Sequence, residues 1–196
     1  MTGRLPAAER LQQLLDTALR AFSENGFNQT SMNDIAEAAG VTKPVLYQHF
    51  NSKRELFREL LQDLGQRLRE AVGKATSEAG TPREQVERGM GAYFGWVQEH
   101  QGGFEILFAG DTRRDPEFVE EVAQVEREIA NTIAALIVVD GLDDRHRKLL
   151  AYGIVGMSES TCRHWLRHDI ELNADELAAQ VAELAWSGLR GLRPAS

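Results

Sequence analysis

Between Ala38 and Arg54 stand three cations, Lys43, Lys53 and Arg54, and no acid. Tyr47 and His49 are interleaved with them, so the stretch "GVTKPVLYQHFNSKREL" offers ammonium, guanidinium, phenol and imidazole donors at short range. Groups of this kind bind phosphate oxygens and base edges. A lysine donates to phosphate or to guanine O6 and N7, and an aliphatic side chain such as Val45 meets a thymine methyl. The formal net charge is −8, which for the whole chain argues against nucleic-acid binding. The charge is unevenly spread: residues 1–60 are balanced, and all of the excess lies after residue 60. A negative body limits sequence-independent attachment to DNA, because that affinity comes from phosphate neutralisation.

Other chemistries find less support. His164 and His168, at i and i+4, share a helix face as zinc-binding histidines can, and Cys162 and Glu171 are near in sequence. No HExxH is present and Cys162 faces elsewhere, so a solvated or packed role is expected for these histidines. No G-x-S-x-G or phosphate-binding loop occurs. No catalytic residue, metal or cofactor is therefore expected. Cys162 is the one cysteine, which excludes an internal disulfide and fits a reducing cytoplasm. The longest apolar run, Ile133 to Val139, falls well short of the ~18 residues that span a bilayer. "MTGRLPAAER" is charged and has no apolar centre, so it does not read as a secretory signal.

The elements that must position Lys43 and its neighbours are helical. Leu11, Leu14, Leu15, Ala18, Leu19 and Phe22 form one apolar stripe at helical spacing, ended by Gly26. Thr30 or Ser31 caps a short second helix, with Met32, Ile35, Ala36 and Ala39 inward, and Gly40 stops it. Thr42 can cap a third, running to about His49. Pro44 then falls in the first turn, where backbone N–H groups lack intrahelical partners anyway. Ser52 and Glu55 form a capping box that opens a long fourth helix carrying Leu56, Phe57, Leu60, Leu61, Leu64 and Leu68. Thr81-Pro82-Arg83-Glu84 opens another helix, which Gly102-Gly103 is expected to break before "FEILFAG". Asp115-Pro116, Asp143-Asp144 and Asn173-Ala174-Asp175-Glu176 begin the remaining helices. No strand is predicted; the fold class is all-α. Residues 1–52 are expected to form a helix-turn-helix DNA-binding domain, and residues 53–196 a larger helical domain for ligand binding and dimerisation.

Two short helices joined by "AGVT" match the helix-turn-helix, whose second helix enters the major groove. Lys43, Pro44 and Val45 stand at its reading end, Leu46 and Phe50 point into the core, and Tyr47 and His49 reach the groove walls. Lys53 adds a cation at the start of the fourth helix. At these residues "TSMNDIAEAAGVTKPVLYQHFNSKRELF" resembles the DNA-binding domain of the tetracycline-repressor (TetR) family, most closely over Leu11 to Leu61. The resemblance implies an all-helical homodimer that binds palindromic operator DNA through its first three helices, and a small effector through its second domain. It places Ser31, Asn33, Thr42, Lys43, Pro44 and Val45 at DNA-contacting positions, together with Tyr47, Gln48, His49 and Lys53. Tyr47, His49 and Lys53 match phosphate contacts; Asn33, Lys43 and Val45 match base-facing ones. Many members carry a smaller residue where Val45 stands. Repression relieved by the effector is the family's usual mode.

For the second domain the reading is coarser. Met90, Tyr93, Phe94 and Val97 are aromatic or flexible residues in its middle helices, as are Phe104, Leu107, Phe108, Tyr152 and Met157. They are the candidates for a largely apolar pocket taking an aromatic or acyl ligand, with Glu105, Glu159 and His164 as polar handles. Gly153, Gly156 and Ser160 allow close helix approach, and Leu177, Val181, Leu184 and Gly188 recur at helical spacing. These residues are the candidate dimer interface. A second reading stays open from the residues alone: a helical small-molecule-binding or scaffold protein that acts through a protein partner without reading DNA.

Overall fold

The structure is a computed structural model that describes residues 6–108, 110–139, 141–168 and 170–192. Helix α1 (Ala7–Gln29) is interrupted at Gly26, whose φ of 77° lies in the left-handed region that glycine adopts without strain. Its stripe is buried at Leu14, Leu15, Ala18 and Phe22, while Leu11 stays partly exposed. The Thr30 hydroxyl donates back to the carbonyls of Ala21 and Gly26, which leaves Ser31 to cap α2 (Met32–Ala38). Ser31 Oγ accepts the Asp34 N–H and the Asp34 carboxylate accepts the Ser31 N–H. Those bonds favour the ionised carboxylate and hold it below its ordinary value. Gly40, at φ 65°, turns the chain into α3 (Lys43–His49).

Helix α4 (Lys53–Ser77) starts where Ser52 Oγ accepts the Glu55 N–H. The Glu55 carboxylate takes the N–H of Asn51 rather than that of Ser52, a one-residue variation on the expected box. Helices α5 (Pro82–Glu99) and α6 (Gln101–Phe108) follow, then α7 (Gly110–Arg114) and α8 (Val119–Leu136). Helices α9 (Asp144–Arg167) and α10 (Ala174–Arg190) complete the chain, and no strand occurs among the described residues. The expected caps at Thr81, Asp143 and Asn173 each accept a first-turn N–H. Gly102-Gly103 does not break the chain as expected: the break falls at His100, and both glycines lie inside α6. A Cβ at Gly102 would stand 2.8 Å from Ser23 Cβ, so this glycine sets the approach of α6 to α1.

Two compact units result. The first takes the chain to Leu64 together with Gln101–Val122, so it extends beyond the boundary at residue 52 drawn from the sequence. The reason is packing: Leu56, Phe57, Leu60, Leu61 and Leu64 on the first turns of α4 are all buried there. Phe22, Phe27, Phe57 and Phe118 join in one aromatic cluster, in tilted and edge-on contacts. At its rim, Arg54 pairs with Glu117, and Arg58 with Glu121 at 2.9 Å.

The second unit holds Gly65–His100 and the chain from Ala123. Helices α5 and α10 pack along one another, and Gln98 Oε1 accepts the Ala174 N–H at 3.1 Å. A Cβ on Gly65 of α4 would stand 2.7 Å from both methyl groups of Val125 on α8. A β-branched side chain in a helix is held in essentially one rotamer, so the helices themselves would have to part. Gly65→Ala is expected to destabilise the fold by about 1–3 kcal/mol, read as a lower denaturant midpoint with an unchanged m-value.

Candidate nucleic-acid interface and cavity

Helix α3 is held by its inner face: Leu46 is fully buried and Phe50, its C-cap, nearly so. Its outer face is therefore fixed in orientation and open. Thr42, Lys43, Pro44 and Gln48 are exposed, as is Tyr47 at 41%; Val45 and His49 are half-buried. Thr42 is the N-cap, as expected, yet its side chain makes no capping bond, which leaves the hydroxyl available. Lys43 Nζ lies 5.8 Å from the centroid of the Tyr47 ring one turn on, so ammonium and phenol share a side of the helix. Ser31 and Asn33, at the start of α2, are exposed in the same unit.

Lys53 is placed otherwise than the sequence suggests. Its ammonium donates to the carbonyls of Phe27 at 2.7 Å and Thr30 at 2.9 Å, and lies 4.4 Å from the Phe27 ring centroid. It thus ties the start of α4 to the end of α1, where carbonyls lack helical partners. Nothing in the residue's type or spacing distinguishes such a strut from a phosphate contact; the signal was the kinked end of α1, whose carbonyls turn toward it.

The second unit contains a cavity of about 340 Å3, at the lower end of the ~300–1,000 Å3 usual for small-molecule sites. Of the nine sequence candidates, Met90 and Tyr93 line it. Phe94 and Val97, on the same helix, are fully buried core residues outside the lining. Phe104, Leu107 and Phe108 belong to the first unit and are buried there. Tyr152 is 43% exposed, and Met157 is half-buried away from the cavity. The walls are mainly aliphatic instead: Val72 of α4, Val86 of α5, Ile129 and Ile133 of α8, and Ile154 and Val155 of α9. Their helical spacing is that of any core stripe, so periodicity could not single them out.

The expected polar handles also lie elsewhere. Glu105 and His164 are exposed, and buried Glu159 pairs with Arg163. Thr76, Gln85, Ser158 and Arg190 supply the polarity of the lining. Thr76 and Ser158 donate their hydroxyls to the carbonyls of Val72 and Ile154, so the interior is apolar in practice. The Cys162 thiol is buried beside the Tyr93 hydroxyl and Glu159, and burial pushes both thiol and phenol up from their ordinary values. His164 and His168 stand with ring centroids 4.4 Å apart on the exposed end of α9. Among the described residues no group of three His, Cys, Asp or Glu side chains is set to hold a metal.

The faces proposed for self-association divide. Leu177 and Val181 are buried within the subunit on α10, which packs on α5, and so are not open to a partner as expected. Gly153, Gly156 and Ser160 on α9 are exposed, in line with Leu149 at 70%; Gly188 on α10 is exposed near Leu184 at 63%. A Cβ on Gly153, Gly156 or Gly188 would meet nothing within 4 Å. Glycine inside a helix costs roughly 0.5–1 kcal/mol against alanine, and nothing inside this chain calls for its small size there.

Residues 14–60 match the family model of bacterial regulatory proteins of the tetR family, and residues 82–188 that of the tetracyclin repressor-like C-terminal domain. The chain is 32% identical over 188 residues to the HTH-type transcriptional activator FasR of Mycolicibacterium smegmatis, covering 95% of this chain and 86% of that protein. It superposes on a TetR-like transcriptional regulator from Rhodococcus sp. RHA1 with a TM-score of 0.76 at 34% identity, over 96% of this chain and 100% of that one. The Bacillus subtilis regulator FadR, solved in complex with stearoyl-CoA, gives a TM-score of 0.78 over 90% of this chain and 98% of that one. At 22% identity that last likeness shows the fold alone.

Proposed function

This chain belongs to the tetracycline-repressor (TetR) family of transcriptional regulators, and from that premise we propose that it binds a palindromic operator as a homodimer and is released by an effector with an aliphatic chain. It is a ligand-responsive, DNA-binding regulator; no enzymatic role is proposed, and its relatives regulate transcription. The observation that carries the DNA contacts is the outer face of α3, exposed, free of acid and fixed by Leu46 and Phe50. Asn33, Lys43 and Val45 are proposed to face bases, and Tyr47 and His49 phosphates, with Ser31, Thr42, Pro44 and Gln48 beside them. Lys53 contributes by holding the start of α4 against the end of α1. Replacing Lys43 by Ala and Tyr47 by Phe together is expected to weaken operator binding about 10- to 100-fold, since a base contact such as that of Lys43 is worth ~1–3 kcal/mol and Tyr47 gives up its phosphate hydrogen bond. It should also make the salt dependence shallower by about one unit of slope. Full-strength binding by the double variant would refute these assignments.

The effector reading rests on the cavity. Its lining is mainly aliphatic, with Tyr93 and Trp186 its two aromatic residues, which fits an acyl chain better than an aromatic ring, and the FadR structure holds stearoyl-CoA. Val72 and Thr76 place the end of α4 in the cavity wall, and the start of the same helix is anchored by Lys53. An effector that binds one setting of α4 better than another shifts the population between them. Residues 1–52 are proposed to read DNA and residues 53–196 to bind effector and partner. Dimerisation through the open faces of α9 and α10 would set two recognition helices ~34–36 Å apart, one turn of DNA. Repression in the cytoplasm completes the proposal. Among the described residues no helix is long and apolar enough to cross a membrane.

A further inference from the structure

The cavity has a direction. Val72, Thr76, Met90, Tyr93, Ile129, Val155 and Ser158 are buried, while Pro82, Val138 and Arg190 on the same lining are exposed. The mouth therefore lies where the start of α5, the segment after α8 and the end of α10 meet solvent. Arg190 is the one charged side chain among the described lining residues. No carboxylate among the described residues pairs with it, whereas Arg83, next to Pro82, is taken up by Glu87 and Glu183. Val138, 82% exposed, adds an apolar surface at the same opening. Trp186, Leu189 and Arg190 line the cavity from α10, and Leu184 and Gly188 lie outside that lining, so Arg190 is not spent on the proposed self-association face.

Resting on the reading of the cavity as an aliphatic-effector site, we infer that Arg190 holds the anionic head of the effector at the mouth, which restricts the ligand to single-chain acidic amphiphiles. A fully apolar chain fills the interior without using the guanidinium. A planar fork of donors suits a carboxylate or a phosphate in bidentate fashion. Free fatty carboxylates and acyl thioesters with a phosphorylated carrier share this chemistry.

The test is titration of the full-length protein with dodecanoate, dodecanoyl-CoA and dodecanol, read by calorimetry. The wild type is expected to bind at least one of the two anions tenfold or more tighter than dodecanol. Arg190→Gln should erase that preference and leave dodecanol affinity within twofold, and Arg190→Lys should retain part of it. Tighter binding of the thioester than of the carboxylate, or the reverse, supports the inference and names the source. Equal affinity of dodecanol and both anions for the wild type overturns it while leaving the aliphatic-effector reading standing, as does an anion preference that survives Arg190→Gln. Binding of none of the three removes the aliphatic reading and this inference with it.

Discussion

Gly156→Arg in α9, or Leu184→Arg in α10, is expected to yield a folded monomer whose operator affinity falls at least a hundredfold. Both positions are open in the subunit. A Cβ at Gly156 would meet nothing within 4 Å, and Leu184 is 63% exposed, so both positions are open to a larger side chain within the subunit. In a two-fold interface the same positions are buried twice over, and each new arginine would be desolvated without a partner. A single helix-turn-helix then reads one half-site alone. Losing the effective concentration that ties two half-site contacts together costs ~10²–10⁴ in affinity. Sedimentation equilibrium and DNA titration of the same preparation check both halves of this expectation. A dimer at micromolar concentration with unchanged operator affinity would place the interface on another face.

Lys53→Met should lower the stability of the protein by about 2–3 kcal/mol, because a half-buried ammonium donating to two well-placed carbonyls is lost and hydrogen bonds to charged groups are worth ~1.5–3 kcal/mol. The methylene stem is retained, but the ammonium that lies 4.4 Å from the Phe27 ring centroid is lost with its carbonyl bonds. This variant should leave the slope of operator affinity against salt unchanged, whereas Lys43→Ala should reduce it by about one. Normal stability with a shallower slope would mean that Lys53 leaves the Phe27 and Thr30 carbonyls to take a phosphate. Gly65→Ala, by contrast, should destabilise the second unit through the Val125 contact without touching the DNA face.

Lys53 also shows how far the sequence could be read. Local signals were legible because their cause is local. Thr81 with Glu84 and Asn173 with Glu176 satisfy first-turn N–H groups three residues away, and the pattern of side chains announces it, whereas at α2 the sequence left Thr30 and Ser31 as alternative caps and the Asp34 bond decides for Ser31. Helical stripes gave the inner faces of α1 and α4, and the order Gly40, Thr42, Pro44, Leu46, Phe50 gave α3 and its outward side. What depends on distant packing was not legible. Whether an aromatic fills core or lines a cavity turns on which helix lies opposite, so Phe94 and Phe108 went to core while Ile133 and Ile154 took the walls. The glycine pair in "QGGFE" looks like a helix break, but Gly102 is small because Ser23 of α1 lies against it. Leu177 and Val181 share their helical repeat with Leu184, yet on α10, which packs on α5, the first two are buried and the third is open.

The central claim is that this chain reads an operator and lets go of it when the cavity is filled. Fluorescence anisotropy of the full-length protein on labelled DNA from upstream of its own gene tests it most directly, with excess random DNA, a salt series and added dodecanoyl-CoA. A library of random duplexes carried through selection covers an operator located elsewhere. Tight, competitor-resistant binding at physiological salt that falls as the acyl ligand is added is the predicted result. Binding no tighter than to random DNA, both upstream and after selection, would contradict the account.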